Sequence, residues 1–212
     1  MLTEFFNGFV KVTGFPAYLA AFRTKVYYED KRVQSRRIRG AALLISNHTS
    51  VFDYAVLLFV FFTRTLRVQM AEVLYQNKLL GLFLKMMGGI YVDREARDFG
   101  YLALSEEHLR KGRVVGVFPE GRLPKKGEQP PLPFKPGAAY LALAANVPVI
   151  PVFTNGSYFR FKQRARVIIG KPMYPGDYSD SQSDDKENIR RLTEAMRQRM
   201  TELERLLDEQ IK

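Results

Sequence analysis

Two kinds of hydrophobic segment alternate along the chain, and their order predicts the fold. Short apolar runs with strand character lie at 41–46, 67–71, 89–93, 113–118, 147–153 and 165–170, and segments with helical spacing lie at 52–62, 73–87, 98–111 and 136–145. Strands that alternate with helices are typical of α/β proteins. The pattern therefore predicts an α/β fold in which helices flank a mainly parallel central sheet.

The two ends of the chain carry helical patterns of different character. Residues 1–25 are rich in phenylalanine and include Asn7 and Lys11, so they suit a helix that lies in a membrane interface, although a helix packed on the domain has the same pattern. From residue 184 onward, apolar positions recur at helical spacing with charges between them, which predicts an amphipathic C-terminal helix. We predict an N-terminal membrane-interface helical segment over 1–25 and a single domain over 26–212.

Neither a membrane span nor a secretory signal is expected from the sequence. The longest uninterrupted apolar run, 55–62, is much shorter than the roughly 18 to 20 residues that cross a bilayer. Glu4 lies where a secretory signal would have a basic region. We therefore expect any membrane contact to be peripheral or monotopic.

Composition limits the chemistry and indicates an anionic partner. The chain has no cysteine and two histidines, so thiolate nucleophiles, disulfides and cysteine-ligated zinc are excluded, and we expect no metal site. The 33 Lys and Arg residues exceed the 22 Asp and Glu residues and leave a net charge of +11. Such an excess favours nucleic acid, an acidic membrane surface or a phosphorylated ligand.

The segment NHTSVFD places a histidine five positions before an aspartate, at the end of a predicted strand. Five residues of continuous helix turn by about 500°, so His48 and Asp53 could not meet if both were helical. Ser50 and Asp53 have the spacing of a capping box, which would leave His48 in the preceding turn with Asp53 facing back toward it. A carboxylate on one ring nitrogen leaves the other nitrogen free to accept a proton. The pair is thus a candidate general base, and a structural histidine at a helix start is the alternative.

Two further predicted strands end in polar clusters. One ends at Glu120, Gly121 and Arg122, and another ends at Asp93 and Arg94. Ligands of open α/β sheets bind at the carboxyl ends of strands, and the planar guanidinium of arginine suits phosphate. The clusters therefore predict one ligand crevice, whereas salt bridges from the arginines to nearby carboxylates are the structural alternative.

Four ordered blocks together resemble the glycerolipid acyltransferases of the 1-acylglycerol-3-phosphate acyltransferase type. They are NHTSVFD at 47–53, YVDR at 91–94, FPEGR at 118–122 and VPVIPV at 147–152. The resemblance extends over about residues 40 to 155. It implies a glycerolphosphate acyltransferase-like fold, with 26–212 as the acyltransferase domain.

The resemblance also implies the reaction and its residues. A fatty acyl chain would pass from acyl-CoA or acyl carrier protein to the free hydroxyl of lysophosphatidic acid or a related lysophospholipid, in phospholipid biosynthesis. His48 would be the base and Asp53 its orienting partner, while the predicted substrate-binding residues are Asn47, Arg94, Glu120, Gly121, Arg122 and Lys135. The acyl thioester would be a co-substrate, with no cofactor, no metal and no nucleic-acid partner. The enzyme would work at an anionic membrane surface, on the cytoplasmic face.

One block departs from the family pattern. The third block of the family usually reads Phe-Pro-Glu-Gly-Thr-Arg, whereas Arg122 here follows Gly121 directly and Leu123 stands where the arginine would be. This variant resembles the branch that reacylates lysophospholipids such as lysophosphatidylethanolamine, so that activity is an alternative. A non-catalytic module that binds anionic lipid or nucleic acid is a further alternative, supported by the net charge alone.

Overall fold

A computed structural model describes residues 1–94, 99–128, 130–159, 164–180 and 182–211. Within these ranges, the strands are β1 Lys25–Tyr28, β2 Ala42–Ser46, β3 Leu66–Ala71, β4 Ile90–Val92, β5 Val114–Val117, β6 Val149–Thr154 and β7 Arg166–Ile169. They form one seven-stranded sheet in the order β1-β7-β6-β2-β5-β3-β4. The five strands from β6 to β4 are parallel, whereas β7 pairs antiparallel with β6. The predicted α/β fold with a mainly parallel sheet is confirmed.

Helices cover both faces of this sheet. They are α1 Leu2–Phe22, α2 Asp53–Val60, α3 Lys78–Met87, α4 Gly100–Arg110, α5 Gly137–Ala145 and α6 Asp185–Glu209. Side chains of β2 alternate between the two faces, as expected for a pleated strand, so that Leu44 packs with α1 and α2 while Leu43 and Ile45 pack with α5 and α6. The predicted C-terminal amphipathic helix is α6, which buries Leu192, Met196, Met200, Leu203 and Leu207.

Three elements differ in detail from the sequence prediction. Strand β1 was not predicted, and it begins at Lys25, the last residue of the predicted N-terminal segment. The single helix predicted over 73–87 is a short 3-10 helix, Glu72–Tyr75, followed by α3, because the side chain of Asn77 accepts from the backbone N–H groups of Leu79 and Leu80 and starts a new helix there. The helix predicted over 98–111 is α4, and residue 98 lies outside the described residues.

Helix α1 packs on α2 and α3 through the side that carries Asn7 and Lys11, here called the polar side, and buries Tyr18 and Phe22 in the core. The Asn7 side-chain amide donates to the Met87 carbonyl at 3.2 Å, and the buried Lys11 ammonium donates to carbonyls at the end of α2. The opposite side of α1, here called the apolar face, is exposed and consists of Leu2, Phe5, Phe9, Val12 and Leu19. No helix in the described ranges combines the length and apolar character that a bilayer crossing requires.

Candidate active site

The carboxyl ends of β2, β5 and β6 meet at one edge of the sheet, and Asn47 joins two of them. Its side-chain amide donates to the Thr154 carbonyl at 2.9 Å, and its side-chain oxygen accepts from the Thr154 N–H at 2.8 Å. The residue is 1% exposed. Asn47 was predicted to bind substrate, but its buried amide is used by the backbone of β6 and so fixes the spacing of the two strand ends.

Asp53 is the most heavily hydrogen-bonded group at this edge. Its Oδ2 accepts from the backbone N–H groups of Thr49 and Ser50 at 2.7 and 2.9 Å, and its Oδ1 accepts from the hydroxyls of Thr49 and Tyr158 at 3.2 and 2.5 Å. Helix α2 begins at Asp53 itself, so Ser50 is not its N-cap as predicted. The turn before the helix nevertheless directs its N–H groups at the carboxylate, and this satisfies donors at a helix start.

The ring of His48 lies against this carboxylate. Its Nδ1 is 2.9 Å from Asp53 Oδ2, and the ring stacks on Phe118 with centroids 4.3 Å apart. Since an ionised carboxylate only accepts hydrogen bonds, Nδ1 carries the proton and Nε2 of the neutral ring is an acceptor. The side chain is 20% exposed, and no group in the described part of the chain hydrogen-bonds Nε2. The arrangement therefore presents a proton acceptor at the edge of the sheet.

Glu120 links the end of β5 to the histidine. Its Oε1 accepts from the backbone N–H of His48 and its Oε2 accepts from the backbone N–H of Leu132, both at 2.8 Å. Burial raises the pKa of this carboxyl, and the two N–H donors act in the opposite direction. Glu120 was predicted to bind substrate. In the structure, both of its carboxylate oxygens accept hydrogen bonds from backbone N–H groups. The residue therefore positions His48 and the loop after β5.

Gly121 and Lys135 lie against each other. Gly121 has a φ of +70°, and a Cβ on it would be 2.8 Å from Lys135 Cε. The backbone N–H of Lys135 donates to the Pro119 carbonyl at 2.8 Å, and its side chain is exposed. The positive φ favours glycine in this turn, and the end of the Lys135 side chain lies directly beside it.

Both predicted phosphate-binding arginines are paired with carboxylates. Arg94 donates from Nε and Nη2 to Glu72 at 3.1 and 2.7 Å, and Arg122 donates from Nη1 and Nη2 to Glu128 at 2.6 and 2.8 Å. Hydrogen bonds from the arginines are the first cause that lowers the pKa values of Glu72 and Glu128 to about 2. The salt bridges that the sequence left as an alternative are present at both positions.

Sequence reasoning missed two residues of the site, Tyr158 and Phe118. Tyr158 is buried in the loop after β6, where its hydroxyl also lies 3.0 Å from the Thr154 hydroxyl. It belongs to none of the four blocks, and no local signal connects it with Asp53. Phe118 is the first residue of the third block, so its closeness to the ligand crevice could have been inferred, although its stacking on His48 could not.

Comparison with known proteins relates the chain to acyltransferases. The family model named Acyltransferase matches residues 23–155. A 1-acyl-sn-glycerol-3-phosphate acyltransferase of Bacillus subtilis is 33% identical over 140 residues, which cover 64% of this chain and 67% of that protein. An enzyme of the same name from Haemophilus influenzae is 26% identical over 186 residues, covering 83% and 75% of the two chains. The human beta enzyme is 29% identical, and its match covers 64% of this chain and 49% of its own length.

A solved structure shares the fold. The crystal structure of the 1-acyl-sn-glycerophosphate (LPA) acyltransferase PlsC from Thermotoga maritima superimposes with a TM-score of 0.64 at 22% identity, over 95% of this chain and 81% of that one. The match of the family model extends from the start of β1 to the loop after β6, and so includes His48, Asp53 and the Glu120 turn. The predicted resemblance is confirmed, and the chain belongs to the Acyltransferase family.

Proposed function

We propose that this protein transfers a fatty acyl group from an acyl thioester to the free hydroxyl of 1-acylglycerol 3-phosphate, a step of phospholipid biosynthesis. The observation that carries the proposal is the 2.9 Å contact between His48 Nδ1 and Asp53 Oδ2 at the carboxyl edge of the sheet. The names of the relatives support the acceptor. The donor is acyl-CoA or acyl carrier protein, and the proposal includes no metal or cofactor.

In the proposed reaction, His48 Nε2 takes the proton of the acceptor hydroxyl as the oxygen attacks the thioester carbonyl. A carbon–oxygen bond forms, the carbon–sulfur bond of the tetrahedral intermediate breaks, and the imidazolium returns the proton to the departing sulfur. The Asp53 carboxylate stabilises the imidazolium while its N–H and hydroxyl donors hold it in place. Direct transfer needs no nucleophilic residue, which agrees with a chain that has no cysteine.

We propose Arg94, Arg122 and Lys135 as the groups that bind the phosphate of the acceptor. For the two arginines, the phosphate would replace Glu72 and Glu128 in a bidentate contact of the same geometry. In this proposal, Asn47, Glu120 and Gly121 do not bind the acceptor directly. They shape the backbone around His48. Substitution of these three should therefore change the geometry of the base before it changes the affinity for the acceptor.

We also propose that the protein works at an anionic membrane surface and meets it through α1. The apolar face of α1 is exposed, and aromatic contacts continue it onto the domain, since Phe15 packs edge-on against Phe62 with centroids 5.7 Å apart. The net charge of +11 favours an acidic bilayer, to which each nearby Lys or Arg contributes about 1 kcal/mol. Residues 1–25 would then be the membrane-interface segment.

A second candidate, the reacylation of lysophospholipids with larger head groups, is favoured by the third block. Arg122 is one residue earlier than the family's arginine, and Glu128 neutralises it. Purified protein assayed with palmitoyl-CoA against lysophosphatidic acid, lysophosphatidylethanolamine, lysophosphatidylglycerol and glycerol 3-phosphate separates the two. We expect the highest kcat/KM with lysophosphatidic acid. Preference for lysophosphatidylethanolamine would establish the second candidate. Inactivity with every acceptor, both with palmitoyl-CoA and with palmitoyl-acyl carrier protein as donor, would refute both.

The role of His48 is tested with the chain's other histidine as a matched control. We expect His48→Ala to lower kcat by about 10² to 10⁴ while the protein stays folded. His108 lies in α4, where its ring contacts Arg113, and His108→Ala should keep nearly normal turnover. A His48→Ala enzyme that retains more than about a tenth of the activity would refute the base.

A further inference from the structure

A cavity of about 380 Å³ lies at the edge of the sheet opposite His48. It is bordered by residues at the starts of β3 and β5, and because these strands run parallel to β2, their starts face away from the carboxyl edge. The other wall is the polar side of α1. Its volume falls within the range of ligand pockets, about 300 to 1,000 Å³. The cavity has no part in the proposed acyl transfer.

The lining of this cavity is strongly cationic. Its charged residues are Glu4, Lys11, Arg64, Arg67 and Arg113. Glu4 accepts a hydrogen bond from Arg67 and is the one carboxylate among these lining residues. The formal charge of the lining is therefore +3, concentrated between one helix and two strand ends.

Two of the cations are held by backbone carbonyls. Lys11 donates to the carbonyls of Phe61, Phe62 and Arg64 at 3.3, 3.1 and 2.7 Å. Arg64 in turn donates to the carbonyls of Ile38, Gly40 and Gly112. Carbonyl oxygens orient a cation, but they carry no formal negative charge that would neutralise it. In the described part of the chain, neither residue forms an ion pair with a carboxylate.

The other two cations have hydrogen-bonding capacity to spare. Arg67 is 6% exposed, and its Nε has no hydrogen-bond partner in the described residues. Arg113 donates from Nη1 to His108 Nδ1 at 2.8 Å and forms no ion pair in the described chain. A buried guanidinium N–H without a partner is costly, and it marks a place where a ligand with acceptor oxygens would be stabilised.

We propose that this cavity is an anion site that binds a phosphate group through Arg67 and Arg113, with Glu4 as an internal competitor for Arg67. Phosphate supplies several acceptor oxygens and suits the planar guanidinium fork, whereas a carboxylate supplies only two oxygens. The site lies beside Gly8 of α1, next to the apolar face, so the phosphate belongs either to a lipid head group in the bilayer or to a soluble phosphate ester.

The test uses the full chain and four variants. Inorganic phosphate is titrated by calorimetry, and separately the protein is bound to phosphatidylcholine vesicles with and without phosphatidylglycerol. Arg113→Gln removes one ligand, and Glu4→Gln removes the competitor. Arg110→Gln is the matched control, because Arg110 is exposed on α4, pairs with Glu106 and does not line the cavity. Arg122→Gln removes the arginine proposed for the acceptor at the other edge.

We expect Arg113→Gln to weaken anion binding about tenfold and Glu4→Gln to strengthen it, with Arg110→Gln close to the unchanged chain. Arg122→Gln should lower only the part of phosphate binding that belongs to the proposed acceptor site, so that the loss caused by Arg113→Gln persists in its background. A response confined to phosphatidylglycerol vesicles identifies a lipid head group, and a response to inorganic phosphate identifies a site for soluble phosphates as well. If Arg113→Gln and Arg110→Gln lost anion affinity equally, binding would depend on net charge alone, and the proposal would be overturned. Absence of binding to both probes would overturn it too. Because acyl transfer is not measured, failure here leaves the proposed function untouched.

Discussion

The Tyr158 hydroxyl donates to Asp53 Oδ1 at 2.5 Å, and it thereby ties the loop after β6 to the first residue of α2. Burial, and after it the charge of Asp53, raises the pKa of Tyr158 far above its usual value. The hydroxyl therefore stays protonated and remains a donor over the whole working pH range. The Asp53 carboxylate is thus oriented by a residue that lies 105 positions away in the chain.

Tyr158→Phe removes this donor and leaves the ring in place. A hydrogen bond to a charged group contributes about 1.5 to 3 kcal/mol, so we expect the free energy of unfolding to fall by about that amount. We expect kcat to fall about tenfold, since Asp53 keeps its contacts with Thr49, Ser50 and His48, and KM for the acceptor to stay constant. Urea unfolding and steady-state kinetics measure the two effects. A large rise in KM with unchanged kcat would mean that Tyr158 contacts substrate instead.

Glu120→Gln tests the positioning of the histidine backbone. An amide offers one acceptor oxygen where the carboxylate offers two, so either the His48 N–H or the Leu132 N–H would face an NH₂ group. We expect a loss of about 1 to 3 kcal/mol in the free energy of unfolding and a lower kcat. Chemical denaturation and single-turnover rates provide the measurements. A stable, fully active Glu120→Gln enzyme would contradict the positioning role.

Glu128→Gln releases Arg122 from its ion pair. The pair is partly exposed and weakened by solvent, so the free guanidinium should lower KM for a phosphate-bearing acceptor by up to about fivefold. Glu106→Gln is the control, because it breaks a comparable pair with Arg110 on α4. Initial rates against acceptor concentration give KM for both variants. Equal KM values in the two variants would argue against Arg122 as a phosphate ligand.

The buried Lys11 predicts an unusual dependence of stability on pH. Burial lowers its pKa to about 8, whereas in the unfolded chain the value is near 10.4. Between these values the unfolded state binds more protons than the folded state, so the contribution of Lys11 to stability rises with pH, by at most about 1.4 kcal/mol per unit.

Urea unfolding of Lys11→Met from pH 7.5 to pH 9.5 should lack this rise, while the exposed Lys78→Met should retain it. This pH range lies well below the pKa of Tyr18, which burial raises to about 12, so Tyr18 does not titrate within it. Parallel curves for the unchanged chain and Lys11→Met would mean that the ammonium titrates normally in the fold.

Contacts that are local in sequence could be predicted. His48 and Asp53 are five positions apart, and the need to start a helix between them was enough to predict that the side chains face each other. The parallel part of the sheet could also be predicted, because its strands are buried apolar runs separated by helical segments. Strand β1 was missed because it has four residues and directly follows the aromatic pattern of α1.

Partners that are distant in sequence or lie in loops could not be predicted. Glu72 and Glu128 gave no sign that they would pair with Arg94 and Arg122, since a carboxylate in a polar loop has many possible partners. The orientation of α1 on the domain could not be predicted from the sequence either. Its pattern predicted an interfacial helix, but only the tertiary contacts of Asn7 and Lys11 show that the polar side faces the domain.

Helix α2 begins at Asp53, whose carboxylate contacts His48 in the preceding turn, and Lys11 of α1 donates to the Phe61 carbonyl directly after its last residue. The eight residues of α2 span about 12 Å between the end at Asp53 and the end that Lys11 contacts. In the proposed contact of α1 with a bilayer, this length of α2 would set the height of the imidazole above the head groups. The proposed depth of α1 in the bilayer would then decide which hydroxyl of a lipid molecule lies level with the ring.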